Sequence, residues 1–371
     1  MKLVLSSALI LFVFSVSSFA AVSPAWVASY DGPSNGDETF YDMAQGLDGS
    51  VYITGESDGP DGKSDMTVVK YDSAGREIWV RRFVEANDKR DYTTSLKTDS
   101  DGNVLVAGQS VTVSMNSEDL TVVKYSPEGE RQWAATYDGP ENGPDHYPYL
   151  TLSPTGDIYL FGTIFDHSII NVDVYYKSAL VKYDGDGTLQ WDAVRDEITI
   201  DYRMAKGLGV DAEGNAYVAV DLSYQDPFGY GYLIAKYSPQ GREIWSAYSS
   251  DAGGRGESLN NLAVNSDGEI YVVGKSVNGD GDTFSTITKY DTDGLRLWSD
   301  DFSPGADFYV YGWSIALNND GEPVIAANYY SPNSDIHGVA VIQYDESGTR
   351  QWIYSKERFL NKGIGIHRRP Q

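Results

Sequence analysis

The sequence specifies an all-β protein, a six-bladed β-propeller of four-stranded antiparallel blades. Three observations lead there. Tryptophan falls on a comb at positions 26, 79, 133, 191, 245, 298 and 352, with spacings of 53, 54, 58, 54, 53 and 54. A Lys-Tyr…Gly…Trp signature runs into most of these tryptophans. A turn glycine followed by a short β-rich run recurs between them. Repeating units of about 50 residues, each holding several short strands, are the sequence mark of a propeller.

Each unit supplies its strands in a fixed order. The first strand precedes the turn glycine, as in residues 258–264. The second is the β-branched and aromatic run after that glycine, at 49–55, 102–108, 156–162, 214–220, 268–274 and 321–327. The third ends in Lys70-Tyr71, Lys124-Tyr125, Lys182-Tyr183, Lys236-Tyr237 or Lys289-Tyr290; the last copy reads Gln343-Tyr344. The fourth carries the comb tryptophan. Such runs bounded by Gly and Asp turns are strand signals, and no sustained helical period competes with them. One detail strains the count. There are seven tryptophan strands but six copies of the other three. Either the Trp26 strand or the Trp352 strand completes the last blade, and the other lies elsewhere.

These signatures resemble the bacterial SBBP-type β-propeller repeats of exported and cell-surface proteins. The resemblance rests on the Gly-Asn-Val-Tyr-Val-like strand, the Val-Lys-Tyr strand, the Gly…Trp step and a Tyr-Asp-Gly-Pro turn. Residues 30–33 and 137–140 carry that turn; 248–250 and 302–304 depart from it. The resemblance implies the fold and an exported location, and it leaves function to the site.

The N-terminus is an address. Met1 and Lys2 precede an apolar stretch over residues 3–19, and Ser18-Phe19-Ala20 places small residues at a cleavage site. This is a signal-peptide pattern, too short and too rich in Ser for a membrane anchor. The organisation expected is a signal peptide at 1–20, the propeller at 21–354 and a basic tail at 355–371. No transmembrane segment follows cleavage. The location expected is the periplasm, the cell surface or the medium.

Composition narrows the chemistry. The 371 residues include 28 Lys plus Arg, 54 Asp plus Glu and no Cys, for a net charge of -26. That excludes disulfides, Cys-ligated metals and a thiol nucleophile. It also makes nucleic acid an unsuitable partner, because the surface repels phosphate. The tail departs from the body, with five basic residues and one acidic.

A residue repeated in every blade has a job in every blade. The comb tryptophans are therefore expected to pack between blades. The Lys-Tyr lysines are expected beside carboxylates. The acidic turns at 99–103 and 291–294 read as plain Asp-Gly turns. The only cofactor the sequence suggests is calcium, at the acidic loops 31–37, 58–65, 138–145 or 280–282. His146, His167 and His337 have no metal-binding spacing.

Function is expected where the repeat breaks. The starts of the first strands should meet at one channel mouth. Those positions offer Tyr41, Asp42, Asp91, Tyr92, His146, Tyr147, Tyr202, Arg203, Glu257, Tyr309, Tyr311 and Trp313. Aromatic faces with a few polar groups suit a small ligand, a glycan, a peptide or an envelope protein. The expected function is binding without turnover. The alternative is a polysaccharide hydrolase or lyase using mouth carboxylates such as Asp42, Asp91, Asp145, Asp201 and Glu257. A third reading is a structural module whose spare strand pairs with another chain. No serine elbow or phosphate loop is present.

Overall fold

The computed structural model describes residues 25–34, 36, 38–60, 62–84, 91–111, 117–168, 174–195, 205–222, 231–250, 257–334 and 336–359. Six antiparallel four-stranded sheets form the blades of a propeller, and no helix occurs among the described residues. Blade 1 is β1 (Glu38–Gln45), β2 (Val51–Asp58), β3 (Ser64–Tyr71) and β4 (Glu77–Phe83). Blade 2 is β5 (Tyr92–Thr98), β6 (Val104–Val111), β7 (Glu118–Tyr125) and β8 (Arg131–Tyr137). Blade 3 is β9 (His146–Leu152), β10 (Ile158–Ser168), β11 (Val174–Tyr183) and β12 (Leu189–Val194). Blade 4 is β13 (Ala205–Val210), β14 (Ala216–Asp221), β15 (Gly231–Tyr237) and β16 (Glu243–Ser250). Blade 5 is β17 (Ser258–Val264), β18 (Ile270–Val277), β19 (Thr283–Tyr290) and β20 (Arg296–Phe302). Blade 6 is β21 (Tyr309–Leu317), β22 (Pro323–Ser331), β23 (Ile336–Tyr344) and β24 (Arg350–Phe359).

The tryptophan comb is the interblade fastener. Trp79 Nε1 donates to the Pro127 carbonyl of the next blade at 3.0 Å. Trp133, Trp191, Trp245 and Trp298 make the same bond to Gly185, Pro239, Thr292 and Glu346. In each case the acceptor lies two residues after the next blade's Lys-Tyr or Gln-Tyr tyrosine. The indoles of Trp133, Trp191, Trp245 and Trp298 also rest on the turn glycine that follows, whereas at Gly129 the Arg81 guanidinium takes that place. A Cβ on Gly241 would meet the Trp191 ring at 2.7 Å, and this glycine has φ of +81°. Glycine is required there twice over, for space and for backbone conformation.

The repeated lysines take part in the same socket. Lys70, Lys124 and Lys182 donate to the carbonyls that receive Trp79, Trp133 and Trp191. Their ammonium groups also meet Asp48, Asp99 and Asp157 on their own blades, at 3.5, 3.0 and 2.8 Å. A nearly buried lysine is thereby given an anion and a carbonyl in place of water.

Burial follows the sockets. Core clusters fill five junctions, 1–2, 2–3, 3–4, 4–5 and 5–6. No such cluster joins blade 6 to blade 1 among the described residues. The question of the spare strand is settled here. The Trp352 strand, β24, completes blade 6. Among the described residues the Trp26 segment pairs with no strand, and it lies on blade 1. Its indole donates to the Ser73 carbonyl at 3.1 Å, stacks on Tyr71 at 6.3 Å and covers Gly75. Trp26 thus does for blade 1 what a preceding blade's tryptophan does elsewhere.

Candidate functional site at the channel mouth

All six first strands run the same way along the channel, so their starts share one mouth. Each carries a register break at one equivalent place, eight residues before the turn glycine. The residues there are Tyr41, Thr94, Pro148, Lys206, Asn260 and Trp313. A bulge re-aims a side chain out of the regular alternation. Thr94 and Asn260 donate to the neighbouring first strand, at the Pro148 and Gly312 carbonyls. Tyr41 and Trp313 stay exposed, at 44% and 53%. The uniform offset was a usable sequence signal for these positions.

The richest group lies where blades 1, 2 and 3 meet. His146 Nδ1 is 3.4 Å from Glu118 Oε2 and 3.4 Å from Gln109 Nε2. Gln109 is buried and joins the set together. Its Nε2 donates to Glu118 at 2.6 Å, and its Oε1 accepts from the Tyr147 amide at 3.0 Å. The His146 ring packs against Tyr147 and Tyr176, with centroids 6.0 and 5.9 Å away. Nδ1 thus faces both a donor, the Gln109 amide nitrogen, and an acceptor, the Glu118 carboxylate. Tyr147 holds φ of +53°, a left-handed conformation costly for a bulky side chain. Its ring is 38% exposed.

Tyr41 belongs to the same group. Burial, a hydrogen bond to Glu56 and the nearby hydroxyls of Tyr147 and Tyr92 all push its pKa well above the usual phenol value. At neutral pH the Tyr41 hydroxyl is therefore neutral. Tyr41, Tyr92, Tyr147 and His146 were expected together, and the structure brings them together. Glu56, Gln109, Glu118 and Tyr176 were not foreseen. They lie on second and third strands, and only cross-strand register reveals them.

Blade 6 contributes a second aromatic group. Tyr309, Tyr330 and His337 stand in one row across β21, β22 and β23. Tyr309 stacks on Tyr330 at 5.2 Å and Tyr330 on His337 at 5.7 Å. Tyr311 packs near Trp313 at 6.4 Å, under the ammonium of Lys275.

The expected acidic positions take other roles. Asp42 receives the Leu96 amide at 2.8 Å and caps Met43, so it ties β1 to β5. Asp91 is buried, and its amide donates to the Ser64 carbonyl. Glu257 is buried and accepts from Ser249 at 2.9 Å. Tyr202, Arg203 and Asp201 lie outside the described residues.

Asp145 is fully buried and receives the Gly139 and Phe165 amides at 2.9 Å each. Burial pushes its pKa up to about 7, and Asp119 and Asp138 add to the rise. Oxygens of Asp119, Asp138 and Asp145 lie within 4.8 Å of one another; among the described residues this group could hold a cation. The turns at 99–103, 278–282 and 291–295 are closed by their own side chains. Asp99, Asn278 and Asp291 each cap two backbone amides there.

No family model and no curated protein matches the chain. Solved structures do. A polysaccharide lyase of family PL25, an ulvan lyase, superposes with a TM-score of 0.53 at 12% identity, over 85% of this chain and 82% of its own. The same lyase bound to -[GlcA(1-4)Rha3S]- gives 0.51 over the same shares. The α-L-arabinofuranosidase Arb93A from Fusarium graminearum gives 0.43 at 14% identity, over 82% and 96%. At such identities the likeness shows the propeller fold alone.

Proposed function

We propose that the protein is an exported, SBBP-type propeller that binds a glycan at its channel mouth. The observation that carries this reading is the Tyr41, Tyr92, Tyr147 and His146 group. Tyr41 and Tyr147 offer exposed rings for the apolar faces of sugars. The group's phenol hydroxyls and imidazole can hydrogen-bond sugar hydroxyls. The strained backbone of Tyr147 supports a functional role, since strain persists where a structure is built to hold a side chain in place. The PL25 lyase of like fold acts on a polysaccharide, which is in keeping with a glycan here.

A second reading has one specific observation behind it. The Glu118 carboxylate lies 3.4 Å from His146 Nδ1 at the mouth, a carboxylate–imidazole pair of the kind used in acid–base catalysis. An enzyme here would use His146 and the tyrosines. Asp91, Asp145 and Glu257 are buried and already bonded, which removes them from the surface a sugar reaches.

Thermal shift of the chain against neutral and uronic oligosaccharides tests both readings. A ligand at about 100 times its Kd adds about 2.7 kcal/mol to the folded state. The binding reading expects a raised Tm with one glycan class, lost in Tyr147→Ala. Absence of any shift across the panel would overturn it. Release of shortened or unsaturated sugar by the native chain, abolished in His146→Ala, would establish the enzymatic reading.

A further inference from the structure

Among the described residues, five junctions of this propeller are fastened alike, and the sixth is not. In the five, an indole N–H enters the carbonyl socket of the next blade. At the sixth place the socket on blade 1, formed by Ser73, Gly75 and Tyr71, already holds Trp26. Trp352, the tryptophan of blade 6, donates instead to Gln343 of its own blade, at 2.5 Å. Gln343 stands where the other five blades have lysine. Three of those lysines donate forward into the next socket. Gln343 is itself held back by Glu322, at 2.8 Å. One substitution thus removes a forward donor and supplies an acceptor that keeps Trp352 at home.

Exposure on the two walls agrees. Phe40 of blade 1 is 41% exposed, whereas its equivalents Thr93, Ala205 and Leu259 are 1–3% exposed; Tyr147, the equivalent in blade 3, is 38% exposed within its wider bulge. On blade 6, Tyr309 and Tyr330 are exposed, as are Ser314 and Ala316 of the first strand. A further blade would cover these positions.

We propose that the ring is kept open between blades 6 and 1 by a two-part device, Trp26 plugging the blade 1 socket and Gln343 retaining Trp352. Trp26 and Trp352 are alternative occupants of one socket. With Trp26 in place, the seam exposes Phe40 on one wall and the Tyr309–Tyr330–His337 row on the other. The channel mouth then opens sideways as well as along its axis. The inference is independent of what the mouth binds.

The chain has no cysteine, so paired spin labels report the seam without background. One pair is Leu47→Cys with Asn319→Cys, across the seam at the turn end. The reference pair is Asp267→Cys with Asn319→Cys, across the sealed 5–6 junction. In the native background the seam pair should be the longer. In Trp26→Ala/Gln343→Lys it should shorten toward the reference. A seam distance equal to the reference in the native background would overturn the proposal. So would an unchanged seam in the folded double variant. A second measurement stands even if that variant fails to fold. Trp352→Ala should lower Tm much less than Trp298→Ala, because Trp352 fills no interblade socket. Equal losses would overturn the proposal as well.

Discussion

At the scale of single residues, stability lies in a few large rings seated on glycines. Trp191 makes an interblade bond, covers Gly241 and packs against Tyr159. Trp191→Ala should therefore cost roughly 3–5 kcal/mol, read as a fall in the urea midpoint at unchanged m-value. Asp145 makes stability depend on pH. Its folded pKa is raised to about 7 from 3.8. The folded state thus holds a proton that the unfolded state has released between those values. Stability is greatest below about pH 4 for this group and falls as pH rises toward 7. Asp145→Asn should flatten that part of the urea-midpoint profile. A profile of the same slope in the variant would refute the assignment.

At the scale of elements, the first strands each combine a regular pleat with one bulge. The pleat buries Leu96, Leu150 and Leu262, and the bulge frees one side chain from that alternation. Blade 3 carries the break furthest, taking in both Tyr147 and Pro148. Tyr147→Gly should relieve the positive φ, leaving Tm unchanged or raised, while removing the exposed ring. Under the glycan reading it loses affinity without losing stability. A large drop in Tm would mean that the ring is structural. Half of this site was legible in the sequence. Tyr41, Tyr92, His146 and Tyr147 stand out as breaks in the repeat. Gln109 and Glu118 look like ordinary strand residues, because their role arises from a register that no local pattern records.

At the scale of the whole molecule, the charge of -26 acts over the entire surface. Self-repulsion destabilises a compact acidic chain, and salt screens it over a Debye length of about 8–10 Å at 0.10–0.15 M. Tm should rise with sodium chloride between about 10 and 200 mM. Binding of a uronic polymer should strengthen over the same range, whereas binding of a neutral glycan should barely change. A flat Tm would show that repulsion is offset by ion pairs such as Lys182–Asp157 and Lys289–Glu269.

The sequence alone determines the six blades, the four strands in each and the packing task of the comb tryptophans. The physical reason is repetition: a side chain needed in every blade recurs in every blade, and period-two strands between glycine turns fold locally. Tertiary structure decides what repetition cannot. It places the Trp352 strand in blade 6 and Trp26 on blade 1, two segments that carry the same local signature. It draws Glu118 and Gln109 to His146, and it buries Asp91, Asp145 and Glu257. These outcomes depend on which strands meet and in what register, and such contacts join residues that the chain order leaves far apart.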